Sequence, residues 1–140
     1  MVQTLYRTQR DLTEQIQAST CQCSQCRKQT GALIFRVQKI PKASFTCDPP
    51  SPAALKTYSA SAGRQRGFCG TCGSFLVWYE EASDMLSVCV GTIDREDLKR
   101  YGRLLTYAET HYFCEDEIQD VTSHLKGNRW KQESENGELL

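Results

Sequence analysis

The chain has 140 residues, the size of one ordinary domain, and its seventeen basic and seventeen acidic side chains give a net charge of zero. This balance supplies no general attraction to nucleic acid or to an anionic membrane, so we expect neither as a partner. Eight cysteines in 140 residues are a smaller fraction than the ~8–10% that is typical of a secreted disulfide scaffold. The first twenty residues contain no apolar signal-peptide region, and we expect a reducing, cytoplasmic compartment in which clustered cysteines bind metal.

Short β-type runs separated by turn residues predict a mainly β fold. We expect strands at residues 2–7, 32–38, 43–47, 74–80, 85–90 and 110–114. Prolines at positions 49, 50 and 52 interrupt this pattern and favour a turn that leads into a short helical turn at 53–58. Residues 8–19 do not distinguish a loop from a helix.

One segment, residues 94–102, has the pattern of a short helix. It begins at Asp94, a residue type preferred at helix N-termini, and it has acidic residues in its first turn and basic residues before Gly102. We therefore predict one short helix in a single domain spanning 1–130. The polar segment 131–140 is expected to be disordered.

Three cysteines, Cys21, Cys23 and Cys26, fall within six consecutive positions, and Arg27 and Lys28 follow them directly. Buried structural thiols are one interpretation, but the polar residues between the cysteines do not resemble a core stripe. The spacing favours a metal site, and all-sulfur ligation favours zinc over the alternative of an iron–sulfur cluster. Three protein ligands leave one position of a tetrahedral zinc open, as in catalytic sites.

A second pair, Cys69 and Cys72, lies in the stretch RGFCGTCGS, where nearby glycines allow a tight turn to aim two thiolates at one ion. The alternative is a redox dithiol, although such motifs join a strand to a helix and this pair is flanked by predicted strands. We predict a zinc knuckle.

The remaining candidates fit structural roles. Cys47, Cys89 and Cys114 are expected to be small buried hydrophobic residues. His111 is expected to be a hydrogen-bonded structural histidine. The aromatic residues of the strand at 74–80, including Trp78, are expected in the core.

Three stretches together resemble the glutathione-dependent formaldehyde-activating enzyme and centromere protein V family. They are CQCSQCRKQTG, RGFCGTCGSFL and VGTID, which match in order and spacing the family patterns C-x-C-S-x-C-R-(R/K)-x-x-G, R-x-F-C-x-x-C-G-S-x-L and G-(S/T)-x-D. The likeness covers residues 2–130. It implies a tent-like, all-β zinc domain with a catalytic zinc held by Cys21, Cys23 and Cys26, and it makes Cys69 and Cys72 half of a structural zinc site.

The resemblance also implies a carbon–sulfur lyase or synthase that acts on the adduct of glutathione, or another thiol, with formaldehyde or a related small carbonyl. Zinc favours the thiolate form, which adds to a carbonyl carbon. Because three thiolates leave the zinc site negative, cations are needed for the two carboxylates of glutathione. Arg27, Lys28 and Arg66 are the candidates, with solvated surface charge as the alternative for each.

One departure from the family concerns the second zinc. Members carry a further C-x-C-G about twenty residues before the first motif, a position that falls at or before Met1. We therefore expect an incomplete structural site, which would impair folding and activity. The alternative function is a zinc-stabilised, non-catalytic binding module, either a chaperone for a small GTPase or a chromatin-associated protein. The zero net charge and the lack of a basic tail argue against chromatin.

Overall fold

A computed structural model describes residues 17–46, 54–133 and 137–140. These residues form one eight-stranded sheet with two α-helices, which confirms the mainly β fold. The strands are β1 (Gln17–Cys21), β2 (Phe35–Pro41), β3 (Leu55–Ser61), β4 (Arg64–Cys69), β5 (Phe75–Glu80), β6 (Met85–Cys89), β7 (Thr110–Tyr112) and β8 (Asn128–Arg129). The helices are α1 (Ser24–Thr30) and α2 (Arg95–Thr106).

The strand order across the sheet is β3-β4-β5-β6-β2-β1-β7-β8. Pairing is antiparallel from β3 to β1, whereas β1 pairs with β7, and β7 with β8, in parallel. β1 therefore lies inside the sheet, between β2 and β7. Cys21, at the end of β1, is directly opposite Phe35 on one side and Tyr112 on the other.

The main hydrophobic core packs chiefly against one face of the sheet, where the register pairs Ile40 with Leu86 and Val77 with Val88. Alternate residues of each strand point to this face because the side-chain period of a strand is two. The core consists of Ile40, Cys69, Leu76, Val77, Leu86 and Val88, with Phe45, Leu55 and Tyr79 packed against it. Lys39 and Trp78, which alternate with the core residues along their strands, line a cavity.

Several predicted elements differ from those in the structure. The predicted helix at 94–102 continues through Gly102 to Thr106, and Asp94 occupies its N-cap position but makes no side-chain capping hydrogen bond. A second helix, α1, lies within the first cysteine motif. Residues 54–58 belong to a turn and to β3 rather than to a helical turn, because their backbone pairs with β4. Residues 42–44 form a 3₁₀ turn instead of a strand, and the predicted strand at 2–7 lies outside the described residues.

Residues 137–140 contact the end of the predicted domain. Leu139 forms an isolated β-bridge with Trp130, and the Leu140 amide donates a hydrogen bond to the Arg129 carbonyl. The domain boundary at residue 130 stays a prediction. Within the described ranges, no helix is long and apolar enough to cross a membrane.

Gly67 in β4 is expected to be intolerant of a side chain. A Cβ atom there would lie 2.5 Å from Val77 Cγ2 and 3.0 Å from Leu55 Cδ1, both in the core. We expect Gly67→Ala to destabilise the protein by about 1–3 kcal/mol, since overpacking displaces core side chains. The control is Gly102→Ala in α2, where nothing lies within 4 Å of the added Cβ, and this change should stabilise by about 0.5–1 kcal/mol. Urea unfolding measures both, and equal midpoints for the two variants would contradict this packing.

Candidate metal centre

Three cysteines lie together where β1 leads into α1. Cys21 ends β1, Cys23 is the N-cap residue of α1, and Cys26 lies in the first turn of that helix. Their sulfur atoms are all within 4.8 Å of one another. A tetrahedral ion with metal–sulfur bonds of about 2.3 Å holds its sulfurs about 3.8 Å apart. The cluster therefore fits one metal ion with little rearrangement.

The local backbone explains this convergence. The Cys23 sulfur accepts a hydrogen bond from the Cys26 amide at 3.3 Å, in place of the oxygen of an ordinary N-cap residue. The helix ends at Gly31, which has the left-handed conformation (φ 71°) common after a helix C-terminus. The C-x-x-C spacing thus places two thiols on the first turn of a seven-residue helix, facing the strand that carries the third.

The three thiols strongly perturb one another. Hydrogen bonds from Cys21 and then Cys26 lower the pKa of Cys23 to about 2, and the hydrogen bond with Cys23 raises the pKa of Cys21. For Cys26, the bond with Cys21 lowers the pKa, whereas the bond with Cys23 and burial raise it, to about 11 overall. One thiolate is therefore favoured at Cys23, and further deprotonation needs a positive charge.

The cluster opens into a cavity of about 590 Å³. Cys21, Cys23 and Cys26 line one part of it, and a mixture of apolar, polar and charged side chains lines the rest. The apolar residues are Phe35, Val37, Trp78, Met85, Leu86, Tyr112 and Phe113. A concave site that combines apolar side chains with polar groups is typical of small-molecule binding.

A buried arginine also lines this cavity. Arg66 in β4 is only 3% exposed, and its Nη2 donates a hydrogen bond to Gln25 Oε1 at 2.5 Å, which ties β4 to α1. Its Nε and Nη1 atoms have no hydrogen-bond partner within the described part of the chain. The positive charge of Arg66 acts on Cys26, after the other thiols and burial, to lower its pKa. Buried donors without partners are uncommon in proteins, so this cation is available to an anion in the cavity.

The chain matches one protein-family model over most of its length. The model of the family described as glutathione-dependent formaldehyde-activating enzyme matches residues 5–116, most of the 140. The chain belongs to this family.

The other comparisons add little. No curated protein matches the chain. A crystal structure of a Rhodobacter sphaeroides protein aligns with 79% of this chain and 87% of its own, at 17% sequence identity and a TM-score of 0.47. The assignment to the formaldehyde-activating family rests on the family model.

Only one of the three cations predicted to bind substrate lies with the cysteine cluster at the cavity. Arg66 lines the cavity, whereas Arg27 and Lys28 lie in the last turn of α1 and do not line it. Arg27 is half-buried and Lys28 is exposed. Basic residues at this position stabilise a helix through its dipole. Their roles in substrate binding stay predictions.

The second cysteine pair has the geometry of a metal knuckle. The buried Cys69 sulfur accepts hydrogen bonds at 3.4 Å from the amides of Thr71 and Cys72, in a turn closed by Gly73 (φ 78°). The described residues contain one group of three or more candidate ligands, the cluster at 21–26, and Cys69 and Cys72 have no third ligand there. A structural zinc at this pair stays a prediction.

The other singled-out residues have mixed outcomes. His111 is buried, with Nδ1 bonded to Thr20 Oγ1 (2.7 Å) and Nε2 to the Lys126 carbonyl (3.0 Å), which confirms a structural histidine. Cys114 is buried and Cys89 is half-buried, while Cys47 lies outside the described residues. The expectation that Trp78 belongs to the core is wrong, because its position in the register turns it towards the cavity.

The cavity residues that the sequence did not single out include Gln25, Lys39 and Arg64. For Lys39 a signal was present. Phe35, Val37 and Lys39 alternate along β2, so they share one face of the strand. The other two have no pattern of their own, since strand β4 was not predicted and Gln25 acts through its contact with Arg66.

The unequal pKa values predict a distinct reactivity for each thiol in the metal-free chain. Because the pKa of Cys23 is lowered to about 2, its alkylation rate by iodoacetamide should be nearly constant from about pH 4 to 8. Hydrogen bonds from Ser74 lower the pKa of the exposed Cys72 to about 7, so its rate should rise about tenfold per pH unit and level above pH 7. Digestion and mass spectrometry would follow both sites. If the alkylation rate of Cys23 rose with pH as that of Cys72 does, the lowered pKa of Cys23 would be contradicted.

Proposed function

We propose that this protein is a zinc-dependent carbon–sulfur lyase or synthase that acts on the adduct of glutathione with formaldehyde or a related small carbonyl. The observation that carries the proposal is the three-cysteine cluster, which faces a cavity rather than the interior of the core. Membership of the formaldehyde-activating family supports the choice of thiol and carbonyl. A binding module that uses zinc only for stability would be expected to have a closed coordination sphere.

The donor set fits zinc. Soft thiolate ligands in a tetrahedral arrangement are typical of zinc, and the sulfur separations suit its bond lengths. Zinc bound by Cys21, Cys23 and Cys26 would neutralise the repulsion among three thiolates and would favour the thiolate form of a thiol brought to its open position. The rest of the chemistry is assigned to the protein's own side chains.

In the synthetic direction the thiolate sulfur attacks the carbonyl carbon, a carbon–sulfur bond forms, and the carbonyl oxygen takes up one proton to become a hydroxyl group. The lyase direction breaks the same bond and releases that proton. Phe35 and Tyr112 flank Cys21 on the neighbouring strands and shield the reacting atoms from water. Lower water content strengthens electrostatic attraction between the substrate and nearby cations.

Arg66 is proposed to bind a substrate carboxylate. Gln25 holds the guanidinium in place while its Nε and Nη1 donors remain without a partner among the described residues, so that either can donate a hydrogen bond to an anion. The same charge offsets the formal charge of −1 left by three thiolates on a divalent ion. Substrate binding and the electrostatics of the cluster therefore depend on one residue.

Loss of one ligand should abolish the reaction. In Cys23→Ser we expect bound zinc to fall and exchange between free and adduct glutathione, measured by NMR, to return to the uncatalysed rate, because serine is a poor zinc ligand. Cys89→Ala is the control, since Cys89 lies outside the cluster. Full zinc content and full exchange in Cys23→Ser would refute the assignment.

Removal of the buried charge should act on binding more than on turnover. For Arg66→Met we expect the glutathione concentration at half-maximal exchange to rise about 10- to 100-fold, the equivalent of about 1.5–3 kcal/mol for a charged hydrogen bond. Arg27→Met should change it less, because Arg27 does not line the cavity. Arg95→Met, an exposed arginine of α2, is the control. If the glutathione concentration at half-maximal exchange were unchanged in Arg66→Met, Arg66 would not bind substrate and its role would be structural.

A further inference from the structure

A row of side chains crosses the cavity from β4 to β2. Strand register places Arg66 opposite Trp78, Trp78 opposite Ser87, and Ser87 opposite Lys39. All four residues line the cavity. Because directly paired residues point to the same face, this row puts cations at both ends, with an indole ring and a hydroxyl group between them.

Lys39 and Arg66 differ in their ion pairing from Arg64, the third cation that lines the cavity. Arg64 is paired with Glu80 (3.3 Å) and with Glu133 (2.9 Å), so its charge is already compensated. Lys39 and Arg66 form no ion pair with any residue in the described ranges. Four carboxylates, from Glu80, Glu115, Asp116 and Glu133, also line the cavity. An anionic ligand is therefore attracted at two defined points rather than by the cavity as a whole.

The separation of these points suggests the ligand. Three strand-to-strand steps of about 4.8 Å put the Lys39 and Arg66 backbones about 14 Å apart, and both side chains are long enough to shorten the gap between the charges. An extended tripeptide spans about 10–11 Å, and a γ-linked first residue adds two methylene groups. A thiol tripeptide with a carboxylate at each end matches this span.

We propose that Lys39 is a specificity-determining residue that binds the second carboxylate of the thiol substrate, at the opposite end of the row from Arg66. This inference rests on the proposed function and adds to it a requirement for two separated carboxylates. The Trp78 side chain lies between the two ends of the row and offers an apolar surface to the methylene groups of the ligand. A thiol with only one carboxylate uses one end of the row and binds more weakly.

The test measures binding of a thioether probe to the zinc-loaded protein by calorimetry. The probe is S-methylglutathione, compared with its C-terminal glycine amide and with 4-aminobutyryl-S-methylcysteinylglycine, each of which lacks one of the two carboxylates. Each probe is titrated into the wild type, Lys39→Met and Arg66→Met. Lys56→Met is the matched control, because Lys56 is an exposed strand lysine that does not line the cavity.

We expect Lys39→Met to weaken S-methylglutathione binding about fivefold, in the range of an exposed ion pair, and Arg66→Met to weaken it more. Each probe that lacks one carboxylate should be insensitive to loss of the cation that binds this carboxylate. One such probe should therefore bind wild type and Lys39→Met equally, and the other should bind wild type and Arg66→Met equally. Raising the salt concentration should weaken wild-type binding and reduce the difference from Lys39→Met.

Two results would overturn the inference. One is an unchanged affinity of Lys39→Met for S-methylglutathione. The other is an equal loss of affinity for all three probes in Lys39→Met, which would show that Lys39 acts through its general electrostatic field and not through one carboxylate. If either occurred while the wild type still catalysed glutathione–formaldehyde exchange, only the role of Lys39 would be wrong. If the wild type neither bound S-methylglutathione nor catalysed exchange, the proposed function itself would fail.

Discussion

The mutual repulsion of three thiolates within 4.8 Å of one another is the constraint on which the site depends. Without a cation, the cluster keeps protons on Cys21 and Cys26 and places its negative charge on Cys23. A divalent metal removes this restriction, because it favours all three thiolates at once. The fold supports that arrangement by placing β1 inside the sheet and starting α1 immediately after it.

The cavity combines this cluster with two kinds of surface. Its apolar side chains lower the local dielectric constant and so strengthen the electrostatic effect of the charges beside them. Of its three cations, Arg64 is paired with Glu80 and Glu133, whereas Arg66 and Lys39 have no ion-pair partner among the described side chains. A ligand is thus selected by where its negative charges fall. Net charge alone would not give this selectivity, because the chain has none.

The two cysteine motifs have similar spacing but different surroundings. The first lies at a strand-to-helix junction beside a third cysteine and opens into the cavity, whereas the second lies in a glycine-rich turn between two strands. Within the described ranges only the first gathers three ligands. Reactivity therefore depends on the surrounding fold as well as on the spacing of the cysteines.

The sequence by itself determined the β class, the strands β5 and β6, and the grouping of Cys21, Cys23 and Cys26, because these depend on local alternation and spacing. It did not indicate β4, the length of α2 or the helix within the first motif, since their ends depend on pairing and packing with distant residues. Tertiary structure alone decided which cations meet the cluster. Arg27 and Lys28 are closest in sequence but do not line the cavity, whereas Arg66 and Lys39 do, because strand register brings distant residues onto one face.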